Sequence, residues 1–304
     1  MKAFITGATG LLGKALTARL LKEKHDVVTL VRDRIPGMYV DGAIIVSGDL
    51  QDLSLVSRVM AEYKIDHVFH LAAQSTVHTA LADPTNTFDV NIRGTWNVLE
   101  ACRRSAPTAR VLVASSDKVY GGAACPYVES MPIAGLYPYD VSKSCADLLA
   151  LSYAATYGIR SSSVRCSNLY GPGDLNWDRL IPRLMKFAYE GEEFTLRGGG
   201  TMKRDFLFVE DAVDGYLLAA SDEKLVGNAI NFGVGEPVLI SRMAELALKL
   251  TGCKRVFPTV KPSPYETAAQ WMNIGLARSK GWKPRHNLEE GLCKTVEWYR
   301  GWLT

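Results

Sequence analysis

The sequence predicts an α/β fold, a doubly wound parallel sheet with a smaller C-terminal lobe. Short apolar runs recur without the polar alternation of a half-exposed strand, so each strand is expected to be buried on both faces. Segments with helical apolar spacing separate these runs. A glycine-rich turn joins the first strand to the first helix. At 304 residues the chain is too long for a minimal domain and short for two independent ones, which fits one large domain carrying a lobe.

"KAFIT" (2–6) reads as a buried strand, followed by the glycine turn and a helix from Gly13 to Lys24. "DVVTLV" is a second strand and "AIIVSGD" a third. "LSLVSRVMAEY" has helical spacing, and "DHVFHLAA" is a fourth strand. One long helix is expected from about Asp83 to Arg104, then "RVLVASS" as a fifth strand. The helix after Pro138 reaches about Tyr157, and "SSSVRCSN" is a sixth strand. After Asn168 the pattern changes. "LYGPGDLNW" is a turn-rich stretch, "LIPRLMKFAYEG" a helix, "FTLRGGG" a short strand and turn, and a further helix starts near Glu210. These shifts put a dinucleotide-binding domain at 1–168 and a substrate-binding lobe mainly at 169–304, with some later segments returning to the core.

Hydrophobic residues make up 47% and charged residues 22%, the mix of an ordinary soluble protein. A net charge of +3, with no basic run interleaved with aromatics, argues against a nucleic-acid partner. The six cysteines are scattered, without C-x-x-C pairs or histidines at ligand spacing. Reduced thiols and no metal site are expected, in the cytoplasm. "MKAFITGATGLLG" enters a strand directly, without a signal-peptide apolar stretch. No run approaches the roughly 20 apolar residues of a membrane helix.

"TGATGLLG" places Gly7, Gly10 and Gly13 at three-residue spacing. Small residues there let the backbone approach a pyrophosphate, and the helix N-terminus supplies N–H donors and partial positive charge. Between a first strand and a first helix this is the turn of a Rossmann-type dinucleotide site, a plain tight turn being the alternative. An NAD site carries an acidic residue at the end of the second strand, for the ribose 2′-hydroxyl. Here the strand ends "TLVRDR", with Val31 at that place and Arg32 next. A guanidinium suits a 2′-phosphate, so NADP is favoured over NAD. If the register slips by two, Asp33 is the acidic residue. Asp49, after the third strand, is expected at the adenine edge, a helix cap being the alternative.

"YPYDVSKSCADLL" sets Tyr139 and Lys143 four residues apart, on one face of a helix. A nearby ammonium is expected to lower the phenol below its usual ~10, so that tyrosinate can act as a base. Further motifs are "HLAA" at 70–73, "NIRGT" at 91–95, "SNLYGPGD" at 167–174 and "GWKP" at 281–284. Together these resemble the extended short-chain dehydrogenase/reductase family, in its nucleotide-sugar epimerase and dehydratase group. The resemblance runs from the first strand to about Asp211 and more loosely beyond. It implies an NAD(P) site that adds Leu11, Leu12, Leu50, Leu71, Ala72 and Ala73 to the glycines, Arg32, Asp49, Tyr139 and Lys143. It further implies that Tyr139 takes the proton of a sugar 4-hydroxyl while hydride leaves C4. Lys143 would hold the nicotinamide ribose, and Ser116 would hydrogen-bond the same hydroxyl. Ser75, Asn91, Asn168 and Arg204 would join Ser116 as contacts to a nucleotide-diphosphate sugar. For Arg204 a surface salt bridge with Asp205 or Asp211 is the alternative. A homodimer through the Tyr-Lys helix and the helix before it is also implied.

Within the family, an epimerase needs only C4 oxidation and re-reduction, whereas a 4,6-dehydratase needs an additional acid and base near C5 and C6. Ser116-Asp117-Lys118 in "VASSDKVYG" offers both, Asp117 as acid to the C6 oxygen and Lys118 as base. A solvated, self-neutralising loop is the alternative. "SSDKVYG", "PYDVSKSCADLL" and "GDLNWDRLIP" most resemble chains described as CDP-glucose 4,6-dehydratases. A 4-epimerase is the second reading, and a non-catalytic dinucleotide sensor or RNA-binding relative the third. In "PSPYETAAQWMNIGLARS" Glu266 is a candidate for a ribose hydroxyl, with a solvated helix residue as the alternative. Gln270 and Arg278 have no assigned role.

Overall fold

The structure is a computed structural model that describes residues 1–33, 35, 37–261 and 267–304. The N-terminal half runs β1 (Lys2–Thr6), α1 (Leu11–Lys22), β2 (Asp26–Val31), β3 (Ile44–Ser47), α2 (Leu53–Glu62) and β4 (His67–His70). Then follow α3 (Val77–Ala82), α4 (Pro84–Phe88), a π-helical turn (Asp89–Arg93), α5 (Gly94–Ser105), β5 (Arg110–Ser116), a 3-10 turn (Asp117–Tyr120), α6 (Pro138–Tyr157) and β6 (Arg160–Cys166). β1, β2, β4, β5 and β6 are buried almost throughout, which is why their sequences read as continuous apolar runs. β6 departs from that pattern. Ser161, Ser162 and Ser163 are fully buried, and their hydroxyls donate to the Ala150 carbonyl, the Leu225 carbonyl and the Asp147 carboxylate.

The rest comprises β7 (Asn168–Tyr170), α7 (Leu180–Tyr189), β8 (Lys203–Arg204), β9 (Phe206–Phe208), α8 (Val209–Ser221) and β10 (Ala229–Phe232). It ends with β11 (Val238–Leu239), α9 (Ile240–Thr251), β12 (Ala269–Gln270), α10 (Gly275–Ser279) and α11 (Leu288–Leu303). The seven-stranded sheet has the order β10-β6-β5-β4-β1-β2-β3, every pair parallel. The chain builds outward from β1 to β3 and then returns to β1's other edge as β4. The loops after β1 and β4 therefore diverge and open a crevice at the carboxyl ends of the strands. β10 adds the last strand from far along the chain. α7, α9 and α11 bury a separate apolar cluster that includes Phe187, Met243 and Leu292. β8 is the centre of a small sheet between β11 and β12.

Three expectations are corrected. The helix expected over 83–104 is broken, because Asp83 caps α4 by accepting from the Asn86 N–H at 3.0 Å and Pro84 opens it. The π turn that follows is wider than an α turn, and it carries Asn91 into the interior, where it is 2% exposed. "FTLRGGG" forms no strand. Leu196 makes a single bridge to Thr259, and Gly198, Gly199 and Gly200 take positive φ values of 65°, 59° and 72°, which curl the chain away from any ladder. The fourth strand stops at His70, so Leu71–Ala73 belong to the loop that faces the crevice.

Two polar hubs join the layers. Asp205 accepts from the N–H groups of Val234, Gly235 and Met272 and from the Ser167 hydroxyl, which ties the ends of β6 and β10 to the lobe. Arg165 on β6 grips both oxygens of Asp147 on α6 at 2.8 and 2.9 Å, with both side chains shut off from water. Arg165 also donates to the Tyr120 hydroxyl at 2.8 Å, and Tyr120 in turn donates to Asn231 at 2.7 Å. Removing one partner leaves the other charge buried and uncompensated. Arg165→Met is therefore expected to cost about 3–5 kcal/mol in urea unfolding, and Arg165→Met with Asp147→Leu to recover much of that loss. A single-variant loss below about 1 kcal/mol would contradict this role.

Candidate active site

The glycine turn is built by contact. A Cβ on Gly7, whose φ is +71°, would sit 2.6 Å from the Ala72 nitrogen, and one on Gly13 would sit 2.1 Å from the Gly7 carbonyl oxygen. These two glycines let the turn press against the β4 loop and α1. Gly10 differs, since a Cβ there would meet only the Gly7 oxygen, at 3.5 Å, and so would project into the crevice. Gly10 is also the N-cap of α1 and offers no side-chain cap, leaving first-turn N–H groups for a ligand. The cradle and its donors fit a dinucleotide.

A cavity of about 750 Å³ follows this turn across the sheet. Gly7, Gly10, Leu11, Leu12, Gly13, Arg32, Asp49, Leu50, Leu71, Ala72 and Ala73 line it, with Tyr139 and Lys143. At the rim the exposed Arg32 donates to Asp33 at 3.0 Å. The Asp49 carboxylate accepts from the Gln51 N–H at 2.9 Å, and the cap of α2 is Asp52. Beneath the cavity His70 bonds Thr6 through Nδ1 at 2.8 Å and Thr95 through Nε2 at 3.0 Å, pinning β4 to β1 and α5. Burial, with the Lys143 charge in support, pushes His70 down to about 3.

A second cavity, of about 510 Å³, shares Ser75, Tyr139 and Arg179 with the first. Pro138 opens α6, so Tyr139 stands in its first turn and Lys143 one turn further on. Lys143 Nζ donates to the Ala114 carbonyl at 2.7 Å, and burial lowers this lysine to about 8. The phenol differs from expectation. Burial pushes Tyr139 up to about 12, opposed by the Arg179 charge and a hydrogen bond with Ser116, while the Asp117 charge raises it further. The Arg179 charge favours the ionised phenol, and Lys143 Nζ is held by a backbone carbonyl.

Ser116, Asp117 and Lys118 all reach the second cavity. Ser116 Oγ donates to Asp117 Oδ1 at 2.9 Å and accepts from the Lys118 N–H at 3.2 Å, so one hydroxyl shapes the turn. Asp117 is 3% exposed, and its Oδ2 has no hydrogen-bond partner among the described residues. Lys118 Nζ donates to the Gln270 side-chain oxygen. Ser75, Asn168 and Arg204 line the same cavity. The Asp205 and Asp211 carboxylates accept from backbone N–H groups, from Ser167 and from His286. Asn91 is set apart. Its amide donates to Ser142 Oγ at 2.8 Å and the Gln74 carbonyl at 3.0 Å, and accepts from the Gln74 N–H at 2.8 Å. Ser142 Oγ donates to the Tyr139 carbonyl at 2.7 Å, so Asn91 supports the site from below. Glu266 lies outside the described residues.

Arg179, just ahead of α7, was not singled out in the sequence, although "NWDRLIP" follows a Gly-Pro turn beside the site. It donates to Ser75 Oγ at 3.2 Å and to Asp174 at 3.4 Å, where the two cavities meet. Among the described residues no cluster of histidine, cysteine and acidic side chains could hold a metal, and no helix is long and apolar enough to cross a membrane.

A crevice at the switch point of a parallel sheet, with serine, tyrosine and lysine at its inner end, defines a dinucleotide-dependent enzyme of the short-chain dehydrogenase/reductase type. Residues 3–233 match the NAD dependent epimerase/dehydratase family, and the chain belongs to it. It is 28% identical to dTDP-glucose 4,6-dehydratase of Salmonella typhimurium, over 98% of this chain and 92% of that one. It is 32% identical to UDP-glucuronate 4-epimerase of Thermodesulfobacterium geofontis, over 82% of this chain and 77% of that one. Among solved structures, MoeE5 in complex with UDP-glucose and NAD superposes with a TM-score of 0.91 at 31% identity, covering 100% of each chain.

The depressed His70 generates a pH dependence of stability. Between about 3 and its ordinary 6.5 the unfolded chain binds a proton that the folded chain refuses. Stability therefore falls as pH drops through that window, by roughly 1.4 kcal/mol per pH unit from this group. Asp140 and Asp205, pushed up by burial to about 6, act oppositely over part of the range. Comparison with His70→Asn isolates the histidine. Between about pH 7.5 and about pH 5.5 the parent should lose about 1 kcal/mol more than the variant in urea unfolding, and equal losses would contradict the assignment.

Proposed function

We propose that the chain is a nucleotide-sugar 4,6-dehydratase that converts an NDP-hexose to the NDP-4-keto-6-deoxyhexose, with CDP-glucose the favoured substrate. One observation carries the reading. Asp117 is buried at the wall of the second cavity with one oxygen that has no partner among the described residues, and Lys118 lines that cavity beside it. A 4-epimerase has no step that requires such an acid and base. The dTDP-glucose 4,6-dehydratase relative supports the dehydratase class. The choice of CDP rests on the resemblance of "SSDKVYG", "PYDVSKSCADLL" and "GDLNWDRLIP" to CDP-glucose dehydratases.

In this reading Tyr139, with Ser116 on the same cavity, takes the proton of the 4-hydroxyl. A nicotinamide cofactor, held by the glycine turn and Lys143, would supply the hydride acceptor for C4 and the hydride for C6. Lys118 removes the C5 proton, now acidified by the C4 ketone, while Asp117 protonates the departing C6 oxygen, which leaves as water. Lys118 then returns its proton to C5 as C6 is reduced. Arg179 and Arg204 hold the diphosphate, for which a planar guanidinium is suited. Arg32 favours NADP over NAD by offering its charge to a 2′-phosphate. The exposed Trp96 on α5 and Leu148 and Tyr157 on α6 supply an apolar face for a homodimer. The six free cysteines fit a reducing cytoplasm.

The test is incubation with CDP-, GDP-, UDP- and dTDP-glucose, each with NAD and with NADP. A 4-keto-6-deoxy product is expected, strongest with CDP-glucose and NADP. A C4 epimer without 6-deoxy product would sink the dehydratase reading and support the epimerase to which the chain is 32% identical. Asp117→Asn and Lys118→Met should spare the first cofactor reduction and lower elimination by about 10²–10⁴-fold. Tyr139→Phe should impair oxidation itself. Sedimentation at the mass of one chain would refute the dimer.

A further inference from the structure

The Gly-Pro-Gly stretch after β7 leads into Asp174, to which the sequence assigned no role. Asp174 is 4% exposed at the wall of the second cavity, and both of its carboxylate oxygens are engaged. Oδ1 accepts from the Asn176 N–H at 3.1 Å, which closes a tight turn, and Oδ2 accepts from Arg179 Nη1 at 3.4 Å. Asn176 extends the turn, its side-chain oxygen accepting from the Asp178 N–H at 3.2 Å and its carbonyl from the Arg179 N–H at 3.0 Å. Behind the turn the Tyr299 hydroxyl of α11 donates to the Asp174 carbonyl, and the Trp177 ring lies against Tyr299 with centroids 6.2 Å apart. On the far side Arg179 Nη2 donates to Ser75 Oγ at 3.2 Å, in the loop that follows β4. A chain of contacts thus runs from α11 through Asp174 and Arg179 to the sheet domain.

The place where the guanidinium is held matters. Among the described residues that line both cavities, Arg179 alone carries a permanent charge, and Tyr139 is another of that group. A long arginine side chain stays in one place only where partners hold it. Asp174 and Ser75 each take one of its N–H groups, which leaves the others for a ligand. Burial raises the Asp174 carboxyl, while the Arg179 charge and the Asn176 N–H oppose that rise. Against Tyr139 burial favours the neutral phenol, the Arg179 charge opposes it, and the Asp117 and Asp140 charges support it. Lys143 on α6, Cys166 at the end of β6 and Tyr216 on α8 are the other ionisable groups on the Tyr139 side. His78 of α3, Lys118, Asp178 and Arg204 stand round the second cavity. We propose that Asp174 is a positioning residue for the oxidation step, holding the Arg179 guanidinium where the two cavities meet, so that its charge stands by Tyr139 as the 4-hydroxyl proton is taken. The inference rests on the reading of Tyr139 as the base.

The experiment follows reduction of the nicotinamide cofactor in single turnovers across pH, for the parent, Asp174→Asn, Arg179→Met and the double variant. The substrate is whichever of CDP-, GDP-, UDP- and dTDP-glucose reduces the cofactor, at saturation. In the parent the rate rises with pH as the base ionises. Arg179→Met should move that ascending limb about one pH unit higher and cut the rate near pH 7 about tenfold. The isosteric Asp174→Asn should move it at least about half a unit in the same direction and cut the rate about threefold or more. The direction is diagnostic, because removing an anion would by itself move the limb lower. The double variant should match Arg179→Met, since Asp174 acts through the arginine. An unmoved or lowered limb in either single variant would overturn the proposal, as would a double variant whose limb lies well above that of Arg179→Met. So would a raised KM with the parental rate at saturation, which confines Asp174 to diphosphate binding, or an Asp174→Asn chain that no longer folds, which makes it a loop staple. A Tyr139→Phe enzyme that still reduces the cofactor at the parental rate would instead overturn the assignment of the base.

Discussion

Arg165 and Asp147 form an ion pair closed off from water, and the two halves of the site meet through it. Asp147 belongs to α6, the helix whose first turns carry Tyr139 and Lys143. Arg165 belongs to β6 and reaches past Asp147 to the Tyr120 hydroxyl, at the end of the turn that carries Asp117 and Lys118. A single guanidinium thus links the helix of Tyr139 and Lys143 to the turn of Asp117 and Lys118. Its planar fork satisfies both carboxylate oxygens and the phenol together, a geometry an ammonium could not supply. Burial makes the arrangement stiff, because any displacement would leave a charge without compensation.

Burial also governs the chemistry on the cavity side of that pair. It makes both Tyr139 and Lys143 favour their neutral forms, raising the first and lowering the second. The protein alone therefore does not hold a tyrosinate ready at neutral pH. Arg179 supplies opposing charge from the rim where the cavities join, and it belongs to the segment leading into α7, so lobe and sheet domain jointly set the acidity of the Tyr139 phenol. The same division recurs at Lys118, which comes from the carboxyl end of β5 and is met by Gln270 from the lobe.

Legibility followed the range of the interactions. The glycine turn, the Tyr-Lys spacing and the Ser-Asp-Lys run are local patterns, each tied to a short stretch of backbone, and they could be read directly. The break at Asp83–Pro84 carried a cap-and-proline signal, which the apolar periodicity across it obscured. The π turn carried no such signal, since its reason is the buried hydrogen bonding of Asn91 to a loop and a helix distant in sequence. Arg179 and Gln270 were hidden for the same kind of reason. An arginine before a helix and a glutamine in a two-residue strand are ordinary until the fold brings their partners beside them.

The sequence by itself determined the parallel sheet, the dinucleotide turn at its first crossover and the family to which the chain belongs, because these depend on periodicity and on residues close together in the chain. The tertiary structure decided which charges face one another. It set Arg179 beside the Tyr139 phenol, turned Lys143 to a backbone carbonyl, drew Asn91 beneath the site and seated Lys118 against Gln270. Those placements come from strand order and from packing between the lobe and the sheet, which join residues up to 152 positions apart. Proton affinities respond to such neighbours and to burial far more than to sequence.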